Sequence, residues 1–325
     1  MKKYMTMFLV IFMAIFCLSA CKGNNVNTSK DNKIKIVTTI FPEYDWVKEI
    51  LGDKAEYAEI TMLLDNGVDL HSYQPTADDI MKISTCDMFI YVGGESDEWV
   101  DDVLKEANNK DMKVINLLDI LGDFAKTEEI VDGMQYEEED DNHSHDEEVD
   151  EHVWLSLKNA EIFCKAISDA LQEIDSDNKE IYYKNTLEYI EKLNALDNEY
   201  SEVIGSSHNK TILFGDRFPF RYLVDDYGLS YYAAFVGCSA ETEASFETVT
   251  FLARKVDELG LNSILTIEKS DDKLAETIVK NTNSKDQKIM SLDSMQSTTS
   301  KDVAKGATYI SIMENNLEIL KEVLK

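Results

Sequence analysis

The stretch of residues 178–204, NKEIYYKNTLEYIEKLNALDNEYSEVI, decides the fold because its pattern is that of one long helix. Apolar side chains recur along it at close to the 3.6-residue helical period, at Tyr182, Leu187, Ile190, Leu193 and Leu196. A helix of about 25 residues reaches about 38 Å at 1.5 Å per residue. That is long for one globular domain and suits a rigid connection between two lobes. We therefore predict a linking helix over residues 176–205.

Strand and helix patterns alternate on both sides of this helix. The β-branched run IKIVTTI at residues 34–40 is typical of a buried strand. The same reasoning predicts further strands at residues 87–92, 113–117, 211–214, 231–235, 263–267 and 288–292. The alternation predicts an α/β protein of two lobes, residues 34–175 and 206–325, each with a mostly parallel sheet flanked by helices. The cleft between the lobes is the expected ligand site.

The N-terminus has the pattern of a secretion signal. Two lysines precede an almost wholly apolar run over residues 5–20, which at about 16 residues is shorter than the roughly 20 that a membrane span needs. The run ends in Leu18-Ser19-Ala20-Cys21, which resembles the lipobox of bacterial lipoproteins. This predicts a signal peptide over 1–20, lipid attachment at Cys21 and a flexible tether over 21–33, with the protein held at the extracytoplasmic face of the cell membrane. The alternative is an uncleaved helix with an incidental cysteine.

The charge of the chain is strongly negative. Its 63 acidic and 32 basic residues give a net charge of −31. Such a surface repels nucleic acid and attracts cations, although solubility alone also explains an acidic balance. The acidity is densest in residues 136–151, where ten of sixteen residues are Asp or Glu and where His143 and His145 lie. We predict a surface loop here that either collects metal ions weakly or is simply solvated.

The cysteines do not form a recognisable metal or redox motif. Beyond the signal region, Cys86, Cys164 and Cys238 are scattered, and no CxxC spacing occurs. The spacing therefore indicates neither a thiolate zinc site nor a redox pair. Buried thiols are the expected state, and one disulfide is left open.

Two histidines lie where α/β folds place ligands. His71 lies in DLHSYQPT at residues 69–76, and His152 lies in DEHVWLS at residues 150–156, both at predicted ends of elements. Neutral imidazole is a suitable ligand for Zn²⁺. Taken singly, a histidine in such a position is more often a structural or surface residue than a ligand, and no spacing such as HExxH links the two.

The motifs resemble those of a known family, the zinc- and manganese-binding lipoproteins of bacterial ABC importers. Residues 69–79, DLHSYQPTADD, are similar to the family's D-P-H-x-Y-x-P-x-x-x-D, and residues 150–159, DEHVWLSLKN, to its D-x-H-V/A-W-L-x-x-x-N. Residues 94–99, GESDEW, resemble its G-x-x-x-E-W segment. The resemblance runs from residue 34 to the C-terminus. It implies two lobes joined by a rigid helix and a metal held by His71 and His152.

The family's third ligand, a His or Glu, has no direct counterpart here. Counting back from the helix that ends in Tyr-Gly-Leu puts Arg217 in that position, and counting forward from the strand puts Gly215 there. Neither side chain can bind a metal. Asp216 lies between them and is the expected substitute, unless it only caps a helix or pairs with a neighbouring arginine. The fourth ligand, a late Asp or Glu, corresponds to Asp293.

The resemblance implies a binding protein, not an enzyme. It would capture a divalent transition metal and deliver it to an ABC-type permease, as a monomer and without a nucleic-acid partner. The acidic loop with His143 and His145 is typical of zinc-type members and makes Zn²⁺ the expected ion, although two carboxylate ligands would favour the harder Mn²⁺. Manganese binding and a metal-dependent adhesin remain alternatives. A metallohydrolase is disfavoured because four protein ligands leave no open position for water.

Overall fold

The computed structural model describes residues 33–135, 148–239 and 243–325. The predicted signal peptide, the lipid site Cys21, the tether up to residue 32, and His143 and His145 lie outside the described residues. Residues Ile34–Lys325 form one compact unit. No helix in the described ranges is both long enough and apolar enough to cross a membrane.

Two four-stranded sheets, all parallel, organise the described chain. The first has the order β2-β1-β3-β4 and the second β6-β5-β7-β8. The strands are Ile34–Thr38 (β1), Ala58–Met62 (β2), Met88–Tyr91 (β3), Lys113–Asn116 (β4), Thr211–Phe218 (β5), Ser230–Val236 (β6), Ser263–Ile267 (β7) and Lys288–Leu292 (β8).

Helices connect the strands and cover the sheets. They are Phe41–Leu51 (α1), Ala77–Thr85 (α2), Trp99–Lys105 (α3), Leu117–Leu121 (α4), Leu157–Ile174 (α5), Lys179–Ser206 (α6), Arg221–Tyr227 (α7), Phe246–Leu259 (α8), Lys273–Asn281 (α9), Ser300–Val303 (α10) and Tyr309–Val323 (α11). Short 3-10 turns occur at Gly52–Tyr57, Leu70–Ser72, Glu95–Asp97, Gly122–Phe124, Val153–Leu155 and Ser176–Asn178. The predicted α/β class, with two parallel sheets flanked by helices, is confirmed.

The linking helix α6 spans 28 residues and packs along its length. It lies against α1 and α5 of the first lobe and against α7 and α11 of the second lobe. The side chains that it buries share one face and include Tyr182, Tyr189, Leu193, Leu196 and Tyr200. Burial of that apolar face, more than intrinsic helix propensity, stabilises so long a helix.

One hydrophobic cluster continues through both lobes. Trp154, fully buried in the first lobe, donates its indole N–H to the carbonyl of Ser294 at 2.8 Å, and Tyr309 donates its hydroxyl to the carbonyl of Trp154 at 2.7 Å. A second, smaller cluster lies within the β5–β8 sheet region. The shared core therefore fixes the two sheets relative to each other. The loops that follow their strands meet between them.

Candidate metal centre

His71 lies in the loop that follows β2, on a 3-10 turn. Asp69 caps this turn, because its Oδ1 accepts the backbone N–H of His71 at 3.0 Å. The ring nitrogen Nδ1 of His71 lies 2.8 Å from Ser96 Oγ and 3.2 Å from Glu151 Oε2. These partners hold the Nδ1 side of the ring, so Nε2 is the nitrogen that faces His152.

His152 is completely buried just before α5. The Oδ1 of Asp150 accepts the backbone N–H of His152 at 2.8 Å and lies 3.0 Å from its Nδ1. Ser156 then caps α5 by accepting the N–H of Asn159 at 3.1 Å. A carboxylate at Nδ1 favours the tautomer in which Nε2 carries the lone pair, which is the usual arrangement behind a metal-binding histidine.

The two imidazoles meet nitrogen to nitrogen. The Nε2 atoms of His71 and His152 are 3.2 Å apart. Two nitrogens that bind one tetrahedral zinc ion at 2.0–2.1 Å are about 3.3 Å apart. The pair is therefore already spaced as a chelating pair. Of the side chains selected from the sequence, these two are the ones that the structure brings together.

Carboxylates make the surroundings favourable to a cation. Burial would raise the pKa of Asp69, but the guanidinium of Arg217 and the ring of His71 outweigh it and lower that pKa. Burial would also raise the pKa of Glu151, but the contacts of its carboxylate with His71 and Ser96 outweigh this effect and lower the pKa. At His152 burial would lower the pKa, yet Asp150 and then Asp69 raise it. Ionised carboxylates thus surround the imidazoles and stabilise positive charge between them.

A cysteine thiol of the second lobe lies close to the two histidines. Among the described residues, the group whose ligand atoms all lie within 4.8 Å of one another consists of His71, His152 and Cys238. Cys238 follows β6 and is one of three free thiols, with Cys86 and Cys164, in the part of the chain that is described. Burial and the nearby Glu128, Asp150 and Glu151 raise the pKa of the Cys238 thiol.

Asp216 and Asp293 do not belong to this group. The carboxylate of Asp216 instead accepts backbone N–H groups, from Arg217 at 2.9 Å and from Ile267 at 3.4 Å. A register shift between Phe214 and Arg217 in β5 accompanies this arrangement. Asp293 accepts the N–H of Met295 at 2.7 Å. In the described structure both carboxylates thus accept hydrogen bonds from backbone N–H groups.

Comparison with known proteins gives the family. Residues 36–323 match the family described as the zinc-uptake complex component A, periplasmic (ZnuA). The chain belongs to this family. Membership confirms the resemblance drawn from the sequence motifs. The ZnuA family is a component of uptake complexes, not an enzyme.

Similar ZnuA-family proteins carry zinc in their names. The zinc-binding lipoprotein AdcA of Streptococcus pneumoniae serotype 4 is 33% identical over 323 residues, which is 98% of this chain and 61% of AdcA. The chain thus spans less than two thirds of the AdcA proteins that it matches. The high-affinity zinc uptake system protein ZnuA of Bacillus subtilis is 30% identical over 325 residues, with 97% of each chain covered.

Solved structures agree with the fold. The Zn(II)-bound ZnuA-like domain of Streptococcus pneumoniae AdcA superposes with a TM-score of 0.70 and 31% identity, over 90% of this chain and 99% of that domain. The metal-dependent lipoprotein YcdH of Bacillus subtilis gives a TM-score of 0.72 and 28% identity, over 90% of this chain and 100% of its own.

Sequence reasoning missed Cys238 at this site, and it placed Arg217 here without predicting the ion pair of Arg217 with Asp69. Arg217 forms an ion pair with Asp69 through Nη2, and the side chain of Cys238 lies beside the two imidazoles. The spacing of cysteines could not reveal a single thiol that joins two distant histidines. A usable signal was the position of Cys238 directly after a predicted strand, since the carboxyl ends of parallel strands are where ligands bind.

Proposed function

We propose that this protein captures Zn²⁺ in the cleft between its lobes, with His71 and His152 as ligands, and delivers the ion to an ABC-type membrane permease. The observation that supports this most directly is the 3.2 Å approach of the two Nε2 atoms, each backed by a carboxylate near Nδ1. Membership in the ZnuA family and the zinc-binding names of its relatives point to the same cargo.

The cellular setting follows from the same proposal. Lipid attachment at Cys21 would hold a monomer at the extracytoplasmic face of the membrane, next to its permease. The acidic loop with His143 and His145 would collect zinc ions weakly and raise their concentration near the cleft. Imidazole ligands favour zinc over the harder Mn²⁺.

Removing both imidazoles tests the site. We expect the double variant His71→Ala with His152→Ala, made in the full chain, to bind zinc at least about 100-fold more weakly, since loss of a ligand's hydrogen-bond partner alone costs about 10- to 100-fold. The measurement is calorimetric titration against a competing chelator. His208→Ala is the matched control, because His208 is exposed near the end of α6. Unchanged affinity in the double variant would refute the site.

A further inference from the structure

Arg217 occupies one of the two positions, with Gly215, that the family resemblance allows for a third ligand. Its guanidinium forms an ion pair with Asp69 through Nη2, while Nη1 donates to the carbonyl of Ser239 at 3.5 Å. Arginine remains protonated in proteins and has no free lone pair for a metal. Arg217 therefore connects the loop of His71 with the loop of Cys238, and a third metal donor has to come from another residue.

The loop that follows β6 approaches the ring of His152 closely. A Cβ added at Gly237 would lie 3.0 Å from Cε1 and 3.2 Å from Nδ1 of His152, so only glycine leaves room for this approach. The next residue, Cys238, is anchored through its backbone N–H, which donates to Glu128 Oε1 at 3.1 Å. The backbone thus presents the Cys238 thiol to the histidine pair.

We propose that Cys238 is the third zinc ligand, in the place of the imidazole or carboxylate that the family resemblance implies. This inference rests on the proposed function. The Sγ of Cys238 and one ring nitrogen each of His71 and His152 lie within 4.8 Å of one another. In a tetrahedral site a Zn–S bond of about 2.3 Å and a Zn–N bond of about 2.0 Å separate S from N by roughly 3.6 Å. A shortening of the distance between sulfur and nitrogen by no more than about 1.2 Å is therefore enough to reach the tetrahedral geometry.

Binding exchanges a proton for the metal. The Zn–S bond forms as the S–H bond breaks, and the proton passes to solvent, because thiolate is the ligating form. Two imidazoles and a thiolate are a softer donor set than two imidazoles and two carboxylates. A thiolate favours zinc and disfavours manganese. The ligand set itself, and not only the acidic loop, then makes the site selective for zinc.

Replacing zinc by Co²⁺ allows a sulfur ligand to be detected directly by absorption spectroscopy. With Co²⁺ bound, the full chain should show an intense near-ultraviolet charge-transfer band from thiolate to metal. Cys238→Ser should lose this band and bind zinc at least about 100-fold more weakly, as expected for a lost ligand. The control Cys86→Ser removes a buried thiol of the first lobe, which contacts Ile83 and Met112, and should keep both the band and the affinity.

Alkylation of the wild-type chain gives a second measurement that does not depend on a variant folding. Zinc should protect Cys238 from iodoacetamide, as read by peptide mass spectrometry, and a chelator should restore its reactivity. Wild-type binding that depends on both histidines, with no charge-transfer band and no protection of Cys238, would overturn the thiolate ligand while leaving the proposed function intact. Absence of zinc binding in the wild type would overturn the proposed function itself.

Discussion

A single residue, Asp150, orients the ring of His152. Its carboxylate accepts the backbone N–H of His152 and lies within hydrogen-bonding distance of Nδ1. Asp150→Asn keeps the shape and one acceptor oxygen but removes the negative charge, so we expect zinc affinity to fall about 10- to 100-fold with little change in folding. Competition titration measures the effect.

Asp216→Asn provides the matched comparison, because it is the same exchange at a carboxylate that contacts backbone N–H groups. We expect this variant to bind zinc almost as tightly as the wild type. A larger loss at Asp216 than at Asp150 would restore Asp216 as the ligand that the sequence predicts.

Glu43 makes the stability of the zinc-free protein depend on pH. Burial, and then the charge of Asp97, raise the pKa of Glu43 to about 8. The folded protein therefore holds this proton more tightly than the unfolded chain. The resulting stability is complete below about pH 4.5 and is lost as the pH rises to about 8, by at most about 5 kcal/mol.

Urea unfolding between pH 5 and pH 8 measures this effect. Glu43→Gln should flatten the pH dependence of the free energy of unfolding relative to the wild type. Glu49→Gln on the same helix, α1, is the control and should leave the slope unchanged. Equal slopes for the wild type and Glu43→Gln would show that Glu43 is not the titrating group.

At the scale of elements, the sequence predicted more of the fold than of the site. The helical period over residues 178–204 and the alternation of strands and helices suffice for two parallel sheets and a long helix, because burial imposes those periods. The proximity of the Cys238 thiol to the two histidines was not predictable in this way. It accompanies the close approach of the loop at Gly237 to the ring of His152. These are tertiary features that linear spacing does not encode.

The acidic segment should be dispensable for the core site. Its two flanks are fixed by backbone hydrogen bonds, since Gln135 N–H donates to the carbonyl of Ala234 at 2.9 Å and Asp150 N–H donates to that of Lys126 at 2.8 Å. We expect replacement of residues 136–147 by a short Gly-Ser linker to leave the melting temperature and the tight zinc affinity nearly unchanged. Thermal denaturation and calorimetry measure both.

The deletion has to spare Asp150 and Glu151, which contact the two histidines. A deletion that extends through Glu151 is therefore the informative contrast, and it should weaken zinc binding strongly. A large fall in melting temperature for the shorter deletion would show that the segment packs against the core.

At the scale of the whole molecule, the lobes should unfold together. One hydrophobic cluster continues through both, and Trp154 connects them by its bond to Ser294. We expect a single calorimetric transition without zinc, with equal calorimetric and van't Hoff enthalpies. Trp154→Phe leaves the carbonyl of Ser294 without this donor and should cost about 1–3 kcal/mol while keeping one transition. Tyr183→Phe, at an exposed position on α6, is the control. Two separate transitions in the wild type would mean that α6 links independent domains and does not share a core with both.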